Sequence, residues 1–230
     1  MKIKKLTAKI VCIWMLFSIF SMNFSAAGAV ETSEKPLSAN WQYMFDAFFA
    51  GNGDAKFSNG EDATEYMLSH FSSMYQMKDY NGILEECKKA EIEEINASED
   101  SNASSSEKSI LQMTYKKYSS HLFTKPDLPF PGKTWYVLVT VSGTYTYQDS
   151  SDTIVSFPKP SSVVVDYSDA GAGFYFSTIS KTTTTPSIGT TGNYATFQVT
   201  TRYSVTFSYD SYNLGTIGTY TDIAGFRVST

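Results

Sequence analysis

One segment constrains the fold of this chain more than any other, and it runs from Tyr194 to Tyr209. Most odd positions from Ala195 onward are apolar or aromatic, whereas the even positions between them are all polar. Alternation with a period of two is typical of a β-strand that has one buried and one solvated face. Parallel strands are usually buried on both faces, so this pattern predicts an antiparallel sheet.

The length of the segment leaves its geometry open. Strands in globular proteins are usually about 5–6 residues long, and this segment is far longer. We expect either a strand that bends near Thr201 and passes between two sheets, or two strands that meet at a kink. Ser/Thr-rich alternating strands also line the water side of membrane barrels, which is the basis of an alternative, membrane-acting function.

The composition of the chain changes near residue 134. Val30 to Lys133 contains 10 Lys and 17 Asp+Glu, whereas Thr134 to Thr230 contains 20 Thr and only 10 charged residues. Glu and Lys favour helices, while Thr favours pleated surfaces. Three prolines fall between the two regions, and they predict a stiff linker over residues 125–133.

These patterns predict an α+β chain with a helical region over residues 30–124 and an antiparallel β-sandwich-like domain over 134–230, with about seven strands. The helical region is expected to hold a few short helices, with a flexible loop from Asn96 to Ser106. The helices are predicted to begin near Ser38, Glu61, Asp79 and Glu107, and the last runs to Phe123.

The first 29 residues have the pattern of a secretory signal peptide. A basic segment ends at Lys9, an apolar segment follows, and Ala27-Gly28-Ala29 supplies a small-residue cleavage site. The competing interpretation is an uncleaved anchor, but the apolar stretch is about 11 residues and a spanning helix needs about 20. We therefore expect cleavage after Ala29 and a secreted protein.

The mature part of the chain is acidic and poor in cysteine. Removing the four leader lysines leaves 14 basic against 23 acidic residues, a net charge of −9, which excludes general nucleic-acid binding. Cys87 is then the only thiol, so no internal disulfide is possible, and this favours a bacterial source. Asn52 to Glu61 lacks the first ligand and the glycine of a calcium loop. We expect no metal and no cofactor.

Two groups of residues could in principle support hydrolysis. Cys87 with His70 or His121 would supply a thiolate–imidazole pair, but Cys87 falls on an apolar helical face, which predicts a packed thiol. The carboxylates of the sheet domain are ordinary turn formers as well as candidate acids. A cysteine- or carboxylate-dependent hydrolase is therefore kept only as an alternative, and we predict that the protein is not an enzyme.

Tyrosines near predicted loops are the best candidates for ligand contact, because a tyrosine ring offers an apolar face and a hydroxyl together. The candidate ligand-binding residues are Tyr136, Tyr167 and Tyr212, with Asp149 and Asp152 in a nearby turn. The chain is predicted to be a non-catalytic binding module whose partner is a cell-surface glycan or protein. Membrane contact is expected only under the membrane-acting alternative.

Overall fold

A computed structural model describes residues 37–99, 110–125, 133–171, 173–209 and 212–230. The predicted signal peptide with its cleavage site, and most of the Pro-rich segment, lie outside these residues. Within the described ranges, no helix is long and apolar enough to cross a membrane.

Short helices form the first layer of the described structure. The first begins directly after Ser38, as predicted, and buries the rings of Trp41 and Phe45. The last is capped by Asp79, whose Oδ1 accepts a hydrogen bond of 2.9 Å from the backbone N–H of Gly82. The helices are α1 (Ala39–Phe49), α2 (Thr64–His70), α3 (Ser72–Gln76) and α4 (Tyr80–Lys89).

Six described strands form an antiparallel sheet, called sheet A. Its order is β1-β2-β3-β4-β5, and β6 pairs with β4 beside β5. The strands are β1 (Gly53–Phe57), β2 (Ile92–Glu99), β3 (Ile110–Lys125), β4 (Lys133–Gln148), β5 (Thr153–Ser156) and β6 (Ser162–Tyr167).

A second antiparallel sheet, called sheet B, packs on sheet A. Its order is β10-β9-β7, with the short strand β8 also paired to β9. The strands are β7 (Phe174–Thr183), β8 (Ser187–Ile188), β9 (Tyr194–Tyr209) and β10 (Tyr212–Ser229). The α+β class and the sandwich-like arrangement of antiparallel strands are confirmed.

The alternating segment is one strand. It pairs with β10 from end to end, and the odd side chains Val199, Tyr203 and Val205 are fully buried. The expectation that the segment passes between two sheets, or consists of two strands, is wrong, because all of it pairs within sheet B. The irregularities lie instead in the neighbouring strands β7 and β10, where extra residues accommodate the twist of the long ladder.

Strand β4 lies between two hydrophobic cores. Val137, Val139 and Val141 face sheet B, whereas Tyr136 and Leu138 face the helices. This matches the two faces that period-two alternation predicts for a strand. The described structure therefore has three layers, in the order helices, sheet A and sheet B.

The helix predicted over Glu107 to Phe123 is wrong. The described part of that segment is strand β3, which pairs with β4 from Ile110 opposite Gln148 to Lys125 opposite Lys133. Its apolar residues fit either period, and the long ladder to β4 outweighs their weak local preference for helix. The helix predicted from Asp79 also ends earlier than expected, at Lys89, and β2 follows it.

Sheet B covers only part of sheet A. Among the described residues, β1 and β2 contribute no buried side chain to the core between the sheets. At one side β7 lies next to β6, and at the other β10 lies over β3. The sandwich therefore has two open edges, and each contains a cleft.

Candidate functional site

The structure separates the three predicted ligand-binding tyrosines. Tyr136 was expected to be exposed near a loop, but it is fully buried between sheet A and the helices, and its hydroxyl donates to the carbonyl of Ile92 at 2.5 Å. Tyr212 begins β10, and its side chain lies outside the described part of the structure. Tyr167 is half-buried and lines a cleft.

Asp149 and Asp152 lie in an exposed turn between β4 and β5. Residues Asp149–Ser151 form one turn of 3-10 helix, and Asp152 ends it with a φ of 48°. The Tyr147 hydroxyl donates to Asp152 Oδ1 at 3.0 Å. The Asp152 carboxylate is thereby tied to β4, and neither aspartate lines the two clefts described next.

The first cleft, called the aromatic cleft, opens at the edge between β6 and β7. Its volume is about 760 Å³. Tyr175 lines this cleft and is 61% exposed, because its side chain points away from the core that Phe174 and Phe176 face. The residues that define the cleft are Asp166, Tyr167, Asp169, Tyr175, Phe176 and Thr178.

Neighbouring contacts fix the walls of the aromatic cleft. Tyr167 stacks on Phe176 with ring centroids 5.0 Å apart, and its hydroxyl lies 2.8 Å from Thr178 Oγ1. Asp166 Oδ2 accepts a hydrogen bond of 2.8 Å from Asn40 Nδ2 on α1. Burial raises the pKa of Tyr167, so its hydroxyl stays protonated at neutral pH. The cleft is therefore preorganised, with aromatic faces beside hydroxyl and carboxylate oxygens.

The second cleft, called the ionic cleft, opens at the other edge, between β10 and the strands β1 to β3. Its volume is about 720 Å³. Side chains from both sheets meet there: His121 and Glu94 come from sheet A, and Asp222 comes from sheet B. The residues that define the cleft are Lys56, Glu93, Glu94, His121, Asp222 and Ile223.

His121 lies between two carboxylates in the ionic cleft. Its Nδ1 donates to Asp222 Oδ1 at 2.9 Å, and its Nε2 lies 3.9 Å from Glu94 Oε1. Lys56 Nζ donates to the other oxygen of Glu94 at 2.9 Å, and Asn96 Nδ2 donates to Oε1 at 3.0 Å. Charges of opposite sign therefore alternate from β1 across to β10.

This arrangement determines the protonation state of the cleft. Burial alone would lower the pKa of His121, but Asp222 and Glu94 together outweigh burial and raise that pKa to about 9. The imidazolium, together with Asn96 and Lys56, holds the pKa of Glu94 well below its usual range. At neutral pH the cluster is therefore a network of full charges that joins the two sheets.

Next to the ionic cleft, a buried serine extends the pair of His121 and Asp222 into a serine–histidine–aspartate series, since Ser119 Oγ lies 3.5 Å from a nitrogen of His121, Nε2. A catalytic triad needs a neutral imidazole that can take the serine proton. Here the imidazole is charged at neutral pH, and Ser119 is only 1% exposed. The geometry therefore lacks both a base and an accessible nucleophile.

The structure does not bring Cys87 and the histidines together as a catalytic pair. Cys87 is fully buried among the helices, and burial raises the pKa of its thiol far above the usual range. His70 is exposed and stacks on Tyr66, with ring centroids 4.1 Å apart. His121 bonds to Asp222 instead.

The sequence analysis missed the pairing of His121 with Asp222. A signal for it was present, because Asp222 is an even number of positions from Ala224, Phe226 and Val228 and therefore points to the same face of β10. All three of those residues are buried. A carboxylate on the buried face of an alternating strand needs a partner of opposite charge or a hydrogen-bond donor. The sequence does not say where that partner comes from.

Comparison of the chain with protein-family models, with curated proteins and with solved structures finds no match. Within the described ranges, no group of three or more His, Cys, Asp and Glu residues is arranged to hold a metal ion. The functional argument therefore depends on the two clefts alone.

Proposed function

We propose that the protein is a secreted, non-catalytic binding protein, and that the aromatic cleft takes a polyhydroxylated ligand such as a segment of a cell-surface polysaccharide. The observation that carries the proposal is a cleft of about 760 Å³ in which the stacked rings of Tyr167 and Phe176 form a wall and the largely exposed Tyr175 lines the rim. A sugar ring can stack on an aromatic face, and its hydroxyls need acceptors and donors at the rim.

Carboxylate and hydroxyl groups supply hydrogen-bond acceptors and donors at the rim of the aromatic cleft. Asp166 uses one oxygen to accept from Asn40, and Asp169 uses one to accept from the backbone N–H of Gly171 at 2.7 Å. These bonds hold the carboxylates in place, because Asp166 is tied to α1 and Asp169 is tied to the backbone of its own loop. Fixed acceptors favour binding, since little side-chain entropy is then lost when a ligand arrives.

Two further observations support a binding role over the alternatives. The only serine–histidine–aspartate group described above has a charged imidazole and a buried serine, which argues against hydrolysis. The apolar face of β9 is packed in the core between the sheets, so a membrane-acting role would require this face to leave the core.

Affinity electrophoresis of the secreted protein through gels containing dextran, xylan, galactomannan or soluble peptidoglycan tests the proposal. We expect retardation by at least one of these polymers, with the affinity then measured by calorimetry. Tyr175→Ala should weaken that binding by about ten-fold or more, because the stacking face is removed. The variant should keep its stability, since the ring is 61% exposed.

A matched control is Tyr43→Ala, which removes another exposed tyrosine, 48% accessible, on α1 outside the cleft. It should bind as the wild type does. Retention of the wild type by none of the polymers would contradict the proposal, and so would equal losses in the two variants.

A further inference from the structure

We propose that the part of β10 from Asp222 to Arg227 receives an extended basic peptide, which adds to sheet B as a further strand. This goes beyond the polysaccharide proposal, because it uses the opposite edge of the sandwich and a different kind of partner. Strand addition is a common mode of peptide recognition, in which main-chain hydrogen bonds give affinity and flanking pockets select side chains.

The geometry of the edge permits strand addition. β10 pairs with β9 on one side, and no described strand pairs with its other side. The register from Asp222 opposite Thr201 to Arg227 opposite Thr196 has no irregularity. Exposed edges are usually protected by a proline, a bulge, an inward-pointing charge or a covering element. This stretch of β10 contains neither a proline nor a bulge, and its one inward-pointing charge, Asp222, is paired with His121.

Two clefts lie beside this edge, and no described residue covers the outer face of the stretch: a Cβ atom added to Gly225 would meet no atom within 4 Å, and Ile223 is 56% exposed. The ionic cleft borders one end of the stretch, and a smaller cleft of about 200 Å³, lined in part by Asn96 and Arg227, borders the other. The space along the edge is therefore long enough for several residues of an extended chain.

A strand added beside β10 would pack on a part of sheet A that sheet B leaves uncovered. Neighbouring strands lie about 4.8 Å apart and stacked sheets about 10 Å apart, so the added strand would lie above the side of β2 that carries Glu94 and Asn96. These side chains are polar and only partly buried. A partner that covers them must therefore present polar or charged side chains on its inner face.

The charge of the ionic cleft selects a basic partner. Its carboxylates are Glu93, Glu94 and Asp222, whereas its cations are Lys56 and His121. Glu94 pairs with Lys56, and Asp222 pairs with His121, so the excess negative charge lies on the exposed Glu93. A lysine or arginine at the Asp222 end of the added strand would neutralise that excess, whereas the smaller cleft at the other end contains Asp54 together with the cations Lys117 and Arg227.

Asp222 gives an independent indication of a ligand. Its side chain is only 5% exposed, and its Oδ2 accepts no hydrogen bond from any described residue. A buried carboxylate oxygen without a donor is costly, and such groups are rare in folded proteins. A cationic donor entering the cleft beside His121 would supply the missing bond.

Fluorescence anisotropy with a labelled synthetic peptide of alternating lysine and threonine tests the proposal. We expect saturable binding to the secreted protein. The same peptide with alternate backbone amides N-methylated should bind at least ten-fold more weakly, because methylation removes strand hydrogen bonds and keeps the charge. A peptide of alternating glutamate and threonine should not bind.

Variants assign the binding to this edge. Glu93→Gln should weaken binding several-fold, while Glu65→Gln, which removes an exposed carboxylate on α2, should leave it unchanged. Tyr175→Ala should also leave peptide binding unchanged, so a failure here is distinct from a failure of the polysaccharide proposal.

Three results would overturn the proposal. The first is equal affinity for the methylated and unmethylated peptides, which would mean attraction by charge without strand pairing. The second is no binding of the lysine–threonine peptide at all. The third is a dimer in sedimentation that the peptide does not dissociate, which would mean that a second copy of the chain occupies the edge.

Discussion

The two edges of the sandwich are stabilised by different kinds of side-chain interaction. At the β6–β7 edge, Tyr167 and Phe176 stack, and Tyr175 remains largely exposed beside them. At the β3–β10 edge, a charged imidazole lies between the carboxylates of Glu94 and Asp222. The first edge depends on aromatic contacts and on hydrogen bonds from uncharged donors to partly exposed carboxylates, and the second depends on ion pairs between partly buried charges.

The difference predicts how each edge responds to change. Removing one partner from a partly buried ion pair leaves an uncompensated charge, which is more costly than the pair is favourable. Removing one hydrogen bond from a half-exposed site costs less, because water replaces the lost partner. The ionic edge should therefore be sensitive to single substitutions and to pH, and the aromatic edge should be tolerant of both.

The largest effect is expected from Asp222→Ala. This substitution removes the hydrogen-bonded partner of His121 and leaves only the more distant carboxylate of Glu94, 3.9 Å from Nε2, of the two that face the imidazole. We expect a loss of about 3–4 kcal/mol in the free energy of unfolding at pH 7, measured by urea denaturation.

Asp149→Ala is the control for this substitution, because it removes an exposed carboxylate from the turn after β4. It should change stability by no more than about 0.5 kcal/mol. A loss below about 1 kcal/mol for Asp222→Ala would show that the ionic edge is no more sensitive than an ordinary surface, and the contrast between the edges would be wrong.

The pH dependence of stability gives the next effect. The pKa of His121 rises from 6.5 to about 9 on folding, so the folded state holds more protons than the unfolded state between these values. The contribution of His121 is fully present below 6.5 and is lost as pH rises through about 9. We expect a fall of about 3 kcal/mol across this window, measured by urea titrations at several pH values.

His121→Gln should flatten the profile over the same window, because the glutamine side chain does not titrate. The groups that face the imidazole are Asp222 on β10 and Glu94 on β2, with Lys56 on β1 behind Glu94. A wild-type profile that stays as flat as that of the variant would mean that the imidazole is not held between the carboxylates.

The smallest effect is expected at the aromatic edge, from Asn40→Ala. The substitution removes the hydrogen bond of 2.8 Å from Asn40 Nδ2 to Asp166, and both side chains are only partly buried. We expect a loss of about 1 kcal/mol, measured in the same urea experiment. A loss as large as that of Asp222→Ala would remove the distinction between the edges.

Most of the sheet could be predicted from the sequence, because its strands carry their own signal. The alternation in β9 and the two faces of β4 depend on which side chains are apolar, and each strand shows this locally. The bounds of β9 agree with those of the alternating segment, because turn-forming residues flank it on both sides.

The segments between the helices and the sheet were harder to predict. In β3, apolar and polar residues are spaced so that a helix and a strand both bury some of the large side chains. The sixteen residues of β3 become a strand because β4 offers a complete ladder to pair with. Long-range pairing of this kind is invisible in a local window of sequence.

The candidate sites likewise divide into residues that local sequence identified and residues whose position depends on long-range packing. Tyr167 was identified from its place at the end of a predicted strand, and it does line a cleft. Tyr136 was expected at the surface for a similar reason, but the helices cover that side of sheet A and bury it. Tyr175, the most exposed ring of the aromatic cleft, was not among the predicted ligand residues.

The sequence by itself determined the antiparallel strands, the burial of alternate residues and the short first helix, because these follow from the local order of apolar and polar side chains. Only the tertiary structure decided the two clefts. His121 and Asp222 are 101 positions apart and meet because β10 lies over β3. The charge state of His121 and the open edge beside it depend on how the two sheets pack, and no local pattern in the sequence specifies that packing.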